Sequence, residues 1–292
     1  MTRIPIVNNQ FYPGNLQDLE EEIKNCFLSK FGPRKLPEKR TKNVFGILTP
    51  HAGYSYSGAC ASYAYKELGE AKFPEFYVML GVNHTVFMGR KIALSLQDWQ
   101  TPFGLVKNVS DINSIEIKDF LELLNENNIK RDENAHRAEH SLEVQLPFLQ
   151  FVSKDNLNKL RILPLTVSDV DFETCRKVGK LFSKLNRRFQ LIISSDFTHY
   201  GPGYGYTLEK GSPKNIEKID MQAINLIKEF KTKEFLEYTD NKTICGKYPI
   251  ALGLEILKNI GCKKAKLLKY YNSGDISKDY NNFVGYGSMV FE

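Results

Sequence analysis

Val44-Phe45-Gly46-Ile47-Leu48-Thr49-Pro50-His51-Ala52-Gly53-Tyr54 runs from an apolar stretch straight into a turn that carries a histidine. The pattern recurs twice. Phe76-Tyr77-Val78-Met79-Leu80-Gly81 leads into Val82-Asn83-His84-Thr85, and Phe189-Gln190-Leu191-Ile192-Ile193-Ser194 leads into Ser195-Asp196-Phe197-Thr198-His199-Tyr200. Apolar runs of this length, ending abruptly at His, Gly or Asp, read as strands covered on both faces, as in parallel sheets. Open α/β sheets place their ligand sites at the carboxyl ends of such strands. Three polar loops in that position predict one point of convergence. The expected fold class is α/β: a central, mostly parallel mixed sheet with helices on both faces.

The segments around these runs supply the rest. Leu16, Leu19, Ile23 and Phe27 share a helical face, and Phe31-Gly32-Pro33 ends it. Residues 57–68 predict a helix of small residues stopped by Gly69. Residues 112–125, 172–185, 216–230 and 232–238 read as helices, and 160–166, 265–271 and 284–291 as strands. Residues 91–96 alternate like an edge strand. Trp99 to Phe103 reads as a loop because Pro102 and Gly104 break it. Glu139-His140-Ser141-Leu142-Glu143 is expected to open a helix that Pro147 kinks or delays. The glycine-rich stretch 201–213 reads as a mobile loop beside the site. Pro249 and Gly261 bracket a helix, placing Cys245 just before its amino terminus. No internal repeat or interdomain linker is visible, so 1–292 reads as a single domain.

Composition narrows the function. The chain has 292 residues, a net charge of +6 and 42% hydrophobic residues, enough for a large core. Its lysines are scattered. The short basic group Lys35, Lys39, Arg40 and Lys42 lacks interleaved aromatics and reads as a solvated loop, with no direct nucleic-acid signal. Five cysteines without Cys-x-x-Cys spacing argue against a disulfide framework and for a reducing, cytoplasmic setting. The amino terminus does not read as a signal peptide, and no apolar stretch approaches the roughly 18 residues of a membrane span.

The chemistry gathers in the loops. His51 and His84 are neutral nitrogen donors suited to a first-row metal ion. In Asp196-x-x-His199 the carboxylate is placed to orient an imidazole for acid–base work. A serine nucleophile at Ser194 or Ser195 is disfavoured because no Gly-x-Ser-x-Gly elbow exists. Cys245, near Lys242, Lys247 and a helix start, is expected to have a lowered pKa and to act as nucleophile or soft metal ligand. Cys26, Cys60 and Cys175 fall on predicted helices as small buried hydrophobes. His140 and its acidic neighbours Glu139 and Glu143 serve either a site or a helix start. His136 reads as exposed.

Five motifs, in order, resemble those of the Memo family: Pro50 to Gly58, Asn83-His84, Glu139 to Glu143, Ser194 to His199, and Thr243-Ile244-Cys245-Gly246. Phe11-Tyr12-Pro13 is similar to that family's opening motif. The resemblance implies a fold like the class III extradiol dioxygenases, which hold non-haem Fe(II) on two histidines and a carboxylate. Carried onto this chain, it implies His51 and His84 as metal ligands, Cys245 in place of the carboxylate, and His199 as the acid–base group with Asp196 beside it. Tyr54 and His140 would line the substrate pocket. A thiolate ligand lowers the iron potential and admits Cu or Zn, so Fe(II) is expected first and those ions second. The resemblance also implies a radical-SAM pathway partner.

The leading expectation is a metal-dependent oxidoreductase acting on a small molecule. Its rivals are a non-catalytic module that binds a ligand, peptide or protein in a vestigial pocket, and a cysteine hydrolase or transferase using Cys245 and His199.

Overall fold

The computed structural model describes residues 2–84, 90–185, 188–209 and 212–292. The strands are β1 (Thr2–Arg3), β2 (Gly46–Thr49), β3 (Phe76–Val82), β4 (Ile92–Leu94), β5 (Asp98–Thr101), β6 (Gly104–Asn108), β7 (Lys130–Arg131), β8 (Arg161–Val167), β9 (Phe189–Ser194), β10 (His199–Tyr200), β11 (Ala265–Asn272) and β12 (Phe283–Phe291). They build one 12-stranded mixed sheet with the main path β1-β5-β6-β8-β3-β9-β2-β12-β10. From β6 through β8, β3 and β9 to β2 every pairing is parallel. β12 runs antiparallel to β2, β10 and β11.

Every residue of β2, β3 and β9 is buried, because helices cover both faces of the sheet. Alternate side chains enter two separate cores. Leu48, Val78, Leu80, Leu191 and Ile193 pack with helices 115–126, 172–181, 213–228, 232–239 and 247–259. Ile47, Tyr77, Met79 and Ile192 pack with helices 16–28, 59–69 and 145–152. This double covering is why the three strands read as continuous apolar runs. Their order positions the site. β9 lies between β3 and β2, so the chain segments leaving all three emerge side by side on one edge of the sheet.

Three local expectations are corrected. Residues 99–103 are a hairpin: β5 and β6 pair antiparallel around Pro102-Phe103, and Gly104 takes φ +107°. The breakers occupy the turn itself, and Trp99 points into the core. Residues 139–140 are irregular and 141–144 are turns, so the helix expected from Glu139 begins only at Gln145, the delay expected of Pro147, which sits in its first turn, where a missing N–H costs little. His136 is buried, its Nε2 donating to the Ala93 carbonyl at 3.1 Å. Within the basic group, Arg40 clamps Asp155 and the Val152 carbonyl, and Lys42 pairs with Glu67 and Glu70. No helix of the described residues is long and apolar enough to cross a membrane.

The amino-terminal arm is held by a buried ion pair. Arg3 donates to Glu143 at 2.7 Å, to the His136 and Glu139 carbonyls at 2.8 and 2.6 Å, and stacks on Trp99. Glu143 also accepts from the backbone N–H groups of Ile6 and Val7 and from the Tyr12 hydroxyl. Arg3→Leu leaves that carboxylate buried without its cation, and the expected loss is about 3–5 kcal/mol of unfolding free energy in a urea titration.

Burial pushes His136 down to about 4. Below its unfolded value of about 6.5 the unfolded chain takes up a proton that the fold refuses, so stability falls as pH drops from 6.5 towards 4. Burial raises Asp220 to about 6 against its Thr198 and Tyr270 hydrogen bonds, and this acts in the opposite sense between pH 6 and about 4. His136→Gln is therefore expected to reduce the stability lost between pH 7 and pH 5 by about 2 kcal/mol, measured by denaturant titration at both pH values.

Candidate metal centre

His51 follows β2 by two residues, and its ring is set by proton counting. The Ser194 hydroxyl donates to the Ser141 carbonyl at 2.8 Å, and it accepts from Gln145 Nε2 at 2.9 Å. The Gln145 amide is oriented by the Pro50 carbonyl on its nitrogen and the Tyr65 hydroxyl on its oxygen. Ser194 has one proton, already committed. The contact between His51 Nδ1 and Ser194 Oγ, at 2.9 Å, must then be a hydrogen bond donated by the ring. This leaves Nε2 unprotonated, its lone pair facing the Cys245 sulfur. Burial, followed by the neighbouring His84, His140 and His199, holds His51 well below the usual histidine range, so it is neutral.

His84 leaves β3 and is met by the fully buried Glu139. That carboxylate accepts the His84 backbone N–H at 2.6 Å and lies 3.0 Å from Nδ1. It also accepts the Ser141 N–H at 2.7 Å. Burial would raise Glu139, but these hydrogen bonds and the His84 and His140 rings bring it to about 2. An ionised carboxylate on Nδ1 fixes the proton there and presents Nε2 outward, the arrangement used to orient metal-binding histidines. The loop holding Glu139 reaches this strand only because Gly81 has no side chain: a Cβ there would lie 2.6 Å from Leu142 Cγ and Ser141 Oγ.

The ring nitrogens of His51, His84 and His140 come within 4.8 Å of one another. The His140 ring stacks on that of His84 at 4.8 Å and 15°, while His51 stands nearly perpendicular to both. In-plane lone pairs of two parallel rings run side by side and do not meet. His140 lies 3.7 Å from Glu139, too far for that carboxylate to fix its proton as it does for His84. Phe11 packs edge-on against it at 4.9 Å.

Cys245 Sγ lies 3.3 Å from His51 Nε2. The segment is anchored by a bridge between Ile244 and Thr198 and by the Gly246 N–H donating to Ser195 Oγ at 3.1 Å. A Cβ at Gly246 would lie 2.3 Å from Ser195, so the approach requires glycine. The expected lowering of the thiol is corrected: burial and the Asp196 carboxylate push it up. Lys242 donates to the Tyr238 carbonyl and Lys247 to that of Asp240, away from the sulfur. A buried thiol of this kind keeps its proton until a cation displaces it.

Asp196 accepts the His51 backbone N–H at 2.8 Å. Burial raises it, opposed by His199 and by the His51 and Ala52 N–H groups. Its carboxylate makes no hydrogen bond to the His199 ring. Instead His199 Nδ1 faces the Phe197 and Thr243 carbonyls at 3.1 and 2.9 Å, so it carries the proton and leaves Nε2 for the cavity. Asp196 thus positions the His51 loop, and backbone carbonyls orient His199.

A cavity of about 560 Å³ opens in front of this cluster, with His51, His84, His140, Asp196 and His199 among its lining. Tyr54 does not line it: its hydroxyl donates to the Val144 carbonyl and its ring packs on Phe148. Its near neighbour Tyr56 lines it, with Phe11, Tyr204 and Tyr286. Tyr204 belongs to the stretch expected beside the site, of which residues 210–211 lie outside the described residues. Sequence reasoning missed Glu139, Ser141, Gln145 and Ser194 as orienting groups. Only Glu139 left a signal, its place beside His140. The ring nitrogens of His51, His84 and His140, with the Cys245 sulfur 3.3 Å from His51 Nε2, supply donors of the kind that fit a first-row transition metal.

The chain matches the Memo-like protein family model over residues 3–290. A MEMO1 family protein of Methanocaldococcus jannaschii is 39% identical over 99% of both chains. One of Methanococcus maripaludis is 37% identical over the full length of both, and one of Nitrosopumilus maritimus 36% identical over the full length of both. Among solved structures, an uncharacterized protein of Escherichia coli K12 has the same fold, with a TM-score of 0.51 at 10% identity, covering 84% of this chain and 98% of that one. Full-length similarity of this kind, joined to the family's motifs at the sheet edge, makes this chain a member of the Memo family.

Proposed function

We propose that the chain is a metal-dependent redox enzyme acting on a small molecule, its ion held by His51, His84 and Cys245. The observation that carries this reading is the convergence of His51, His84 and His140 within 4.8 Å, with Cys245 Sγ 3.3 Å from His51 Nε2. The fixed tautomers of His51 and His84 support them as the ligand pair. The stacked ring of His140, without a partner that fixes its tautomer, suits it to the substrate side of the ion. Fe(II) is the ion we assign first, with Cu or Zn as alternatives. When bound, such an ion supplies Lewis acidity and, for Fe or Cu, one-electron chemistry. His199 Nε2, backed by carbonyls on Nδ1, would take or deliver a proton at the cavity surface. The radical-SAM pathway partner belongs to the same proposal. The cysteine-nucleophile reading is weakened by the raised thiol.

Anaerobic loading with Fe(II) and elemental analysis tests the site. The wild type is expected to hold about one ion per chain, and His51→Ala and His84→Ala to lose it. His140→Ala should retain it, and Cys245→Ser should remove any thiolate-to-metal absorption band. Stoichiometric iron in His51→Ala would overturn the assignment. Glu139→Gln keeps the shape but weakens the hold on His84 Nδ1, and a fall of about 10- to 100-fold in metal affinity is expected by competition with a chelator.

Oxygen uptake by the iron-loaded chain separates enzyme from binder. Substrate-dependent consumption that disappears in His199→Gln supports turnover. No uptake with any catecholic or other reducing substrate would favour the binding module.

A further inference from the structure

The cavity in front of the histidines has two unlike halves. Its floor is the imidazole cluster. The rest of its lining sets the rings of Phe11, Tyr56, Tyr204 and the buried Tyr286 among the polar side chains of Ser273, Ser277 and Asn282. Tyr56 and Tyr204 are each 45% exposed, and the Tyr204 ring stands edge-on to His199 at 5.2 Å. The carboxylates of the lining are Asp196 at the inner end and Asp279 at the rim. Both act on the Tyr204 phenol, which burial and these two charges raise, so the acid groups and the ring share one neighbourhood.

No lysine or arginine is among the described residues that line this cavity. Lys278, beside Asp279 in sequence, is turned to the Asp275 carbonyl at 2.8 Å. This is notable in a chain with 40 Lys and Arg residues and a net charge of +6. A basic protein whose described lining joins aromatic rings and carboxylates at a cavity mouth, without a lysine or arginine among them, is arranged for a positively charged guest. Ring faces attract ammonium groups through their quadrupole, and a carboxylate supplies the counter-charge. Among the described lining residues a carboxylate or phosphate ligand would find no lysine or arginine to pair with.

We propose that the outer half of the cavity receives the ammonium group of a small organic amine and discriminates against acidic ligands. The inference deepens the reading of the cavity as a substrate pocket and rests on it. It concerns the wall, not the ion, so the two can fail separately.

Three probes with one ring and closely matched linkers test it: 2-phenylethylammonium, 2-phenylethanol and 3-phenylpropionate. Each is titrated into the metal-free full-length chain at pH 7.5 by calorimetry or ligand-observed NMR. The ammonium is expected to bind at least about tenfold more tightly than the carboxylate, with the alcohol between them. Asp279→Asn should shrink the ammonium-over-alcohol preference about threefold, and Tyr204→Leu should weaken the ammonium about threefold or more. Rising salt should reduce the preference in the wild type. The proposal is overturned if the carboxylate binds as tightly as the ammonium, if the alcohol matches the ammonium, if Asp279→Asn leaves the preference unchanged, or if the ammonium shows no saturable binding up to about 10 mM. Ammonium preference in a chain that holds no iron would retire the metal reading alone. Iron held at full stoichiometry without ammonium preference would retire this one alone.

Discussion

Residues 139–145 are laced onto the carboxyl ends of three adjacent parallel strands, and the rest of the site depends on that lacing. Gln145 reaches the Pro50 carbonyl after β2. Ser141 donates to the Val82 carbonyl at the end of β3 and accepts from Ser194 at the end of β9. Glu139 takes both the backbone and the ring of His84. Gln145, Ser141, Ser194 and Glu139 are all buried, so each hydrogen bond they failed to make would leave a polar atom stranded, at about 1–3 kcal/mol. The network is therefore satisfied as a whole or not at all, and the rings it touches inherit its rigidity.

A second buried network supports the first from behind. Arg3 and Glu143 join the amino-terminal arm to the same loop, and Arg3 also donates to the Glu139 carbonyl. The arm then carries Phe11 to the face of His140 and its carbonyl to the Tyr54 N–H. A buried ion pair is a weak source of net stability but a strong penalty on wrong arrangements. Its service here is to place a distant piece of chain over the cavity. Asp220 does the same for the far wall, accepting from Thr198 and from Tyr270 of β11 so that the turn carrying Asp196 and His199 is tied to that strand.

The electrostatics of the centre suit a cation better than an uncatalysed nucleophile. His51 is held neutral by burial, Cys245 keeps its proton, and Glu139 stays ionised behind His84. A bound cation would displace the thiol proton and draw on lone pairs already aimed outward. Family membership brings the fold and the motif positions. The reading of the site comes from these proton positions, which follow from hydrogen-bond counting among Ser194, Gln145 and Glu139.

Much of the architecture was legible in the residues themselves. Strands buried on both faces must be apolar throughout, so β2, β3 and β9 announced themselves, and the polar residues that stop them marked the site edge. Amphipathic helices such as 16–28 and 172–181 were equally plain, because one face must match a core. Short elements were not: the β5–β6 hairpin hides behind Pro102 and Gly104, which normally signal loops, and residues 139–144 keep a helical spacing without being helical. The sequence alone determined which residue types stand at the strand ends, since local burial and periodicity are written into each segment. Only the tertiary structure decided that Glu139 serves His84, that carbonyls and not Asp196 orient His199, that Tyr56 replaces Tyr54 at the cavity and that His136 is buried. Those outcomes depend on contacts between residues tens to more than a hundred positions apart, which no local pattern encodes.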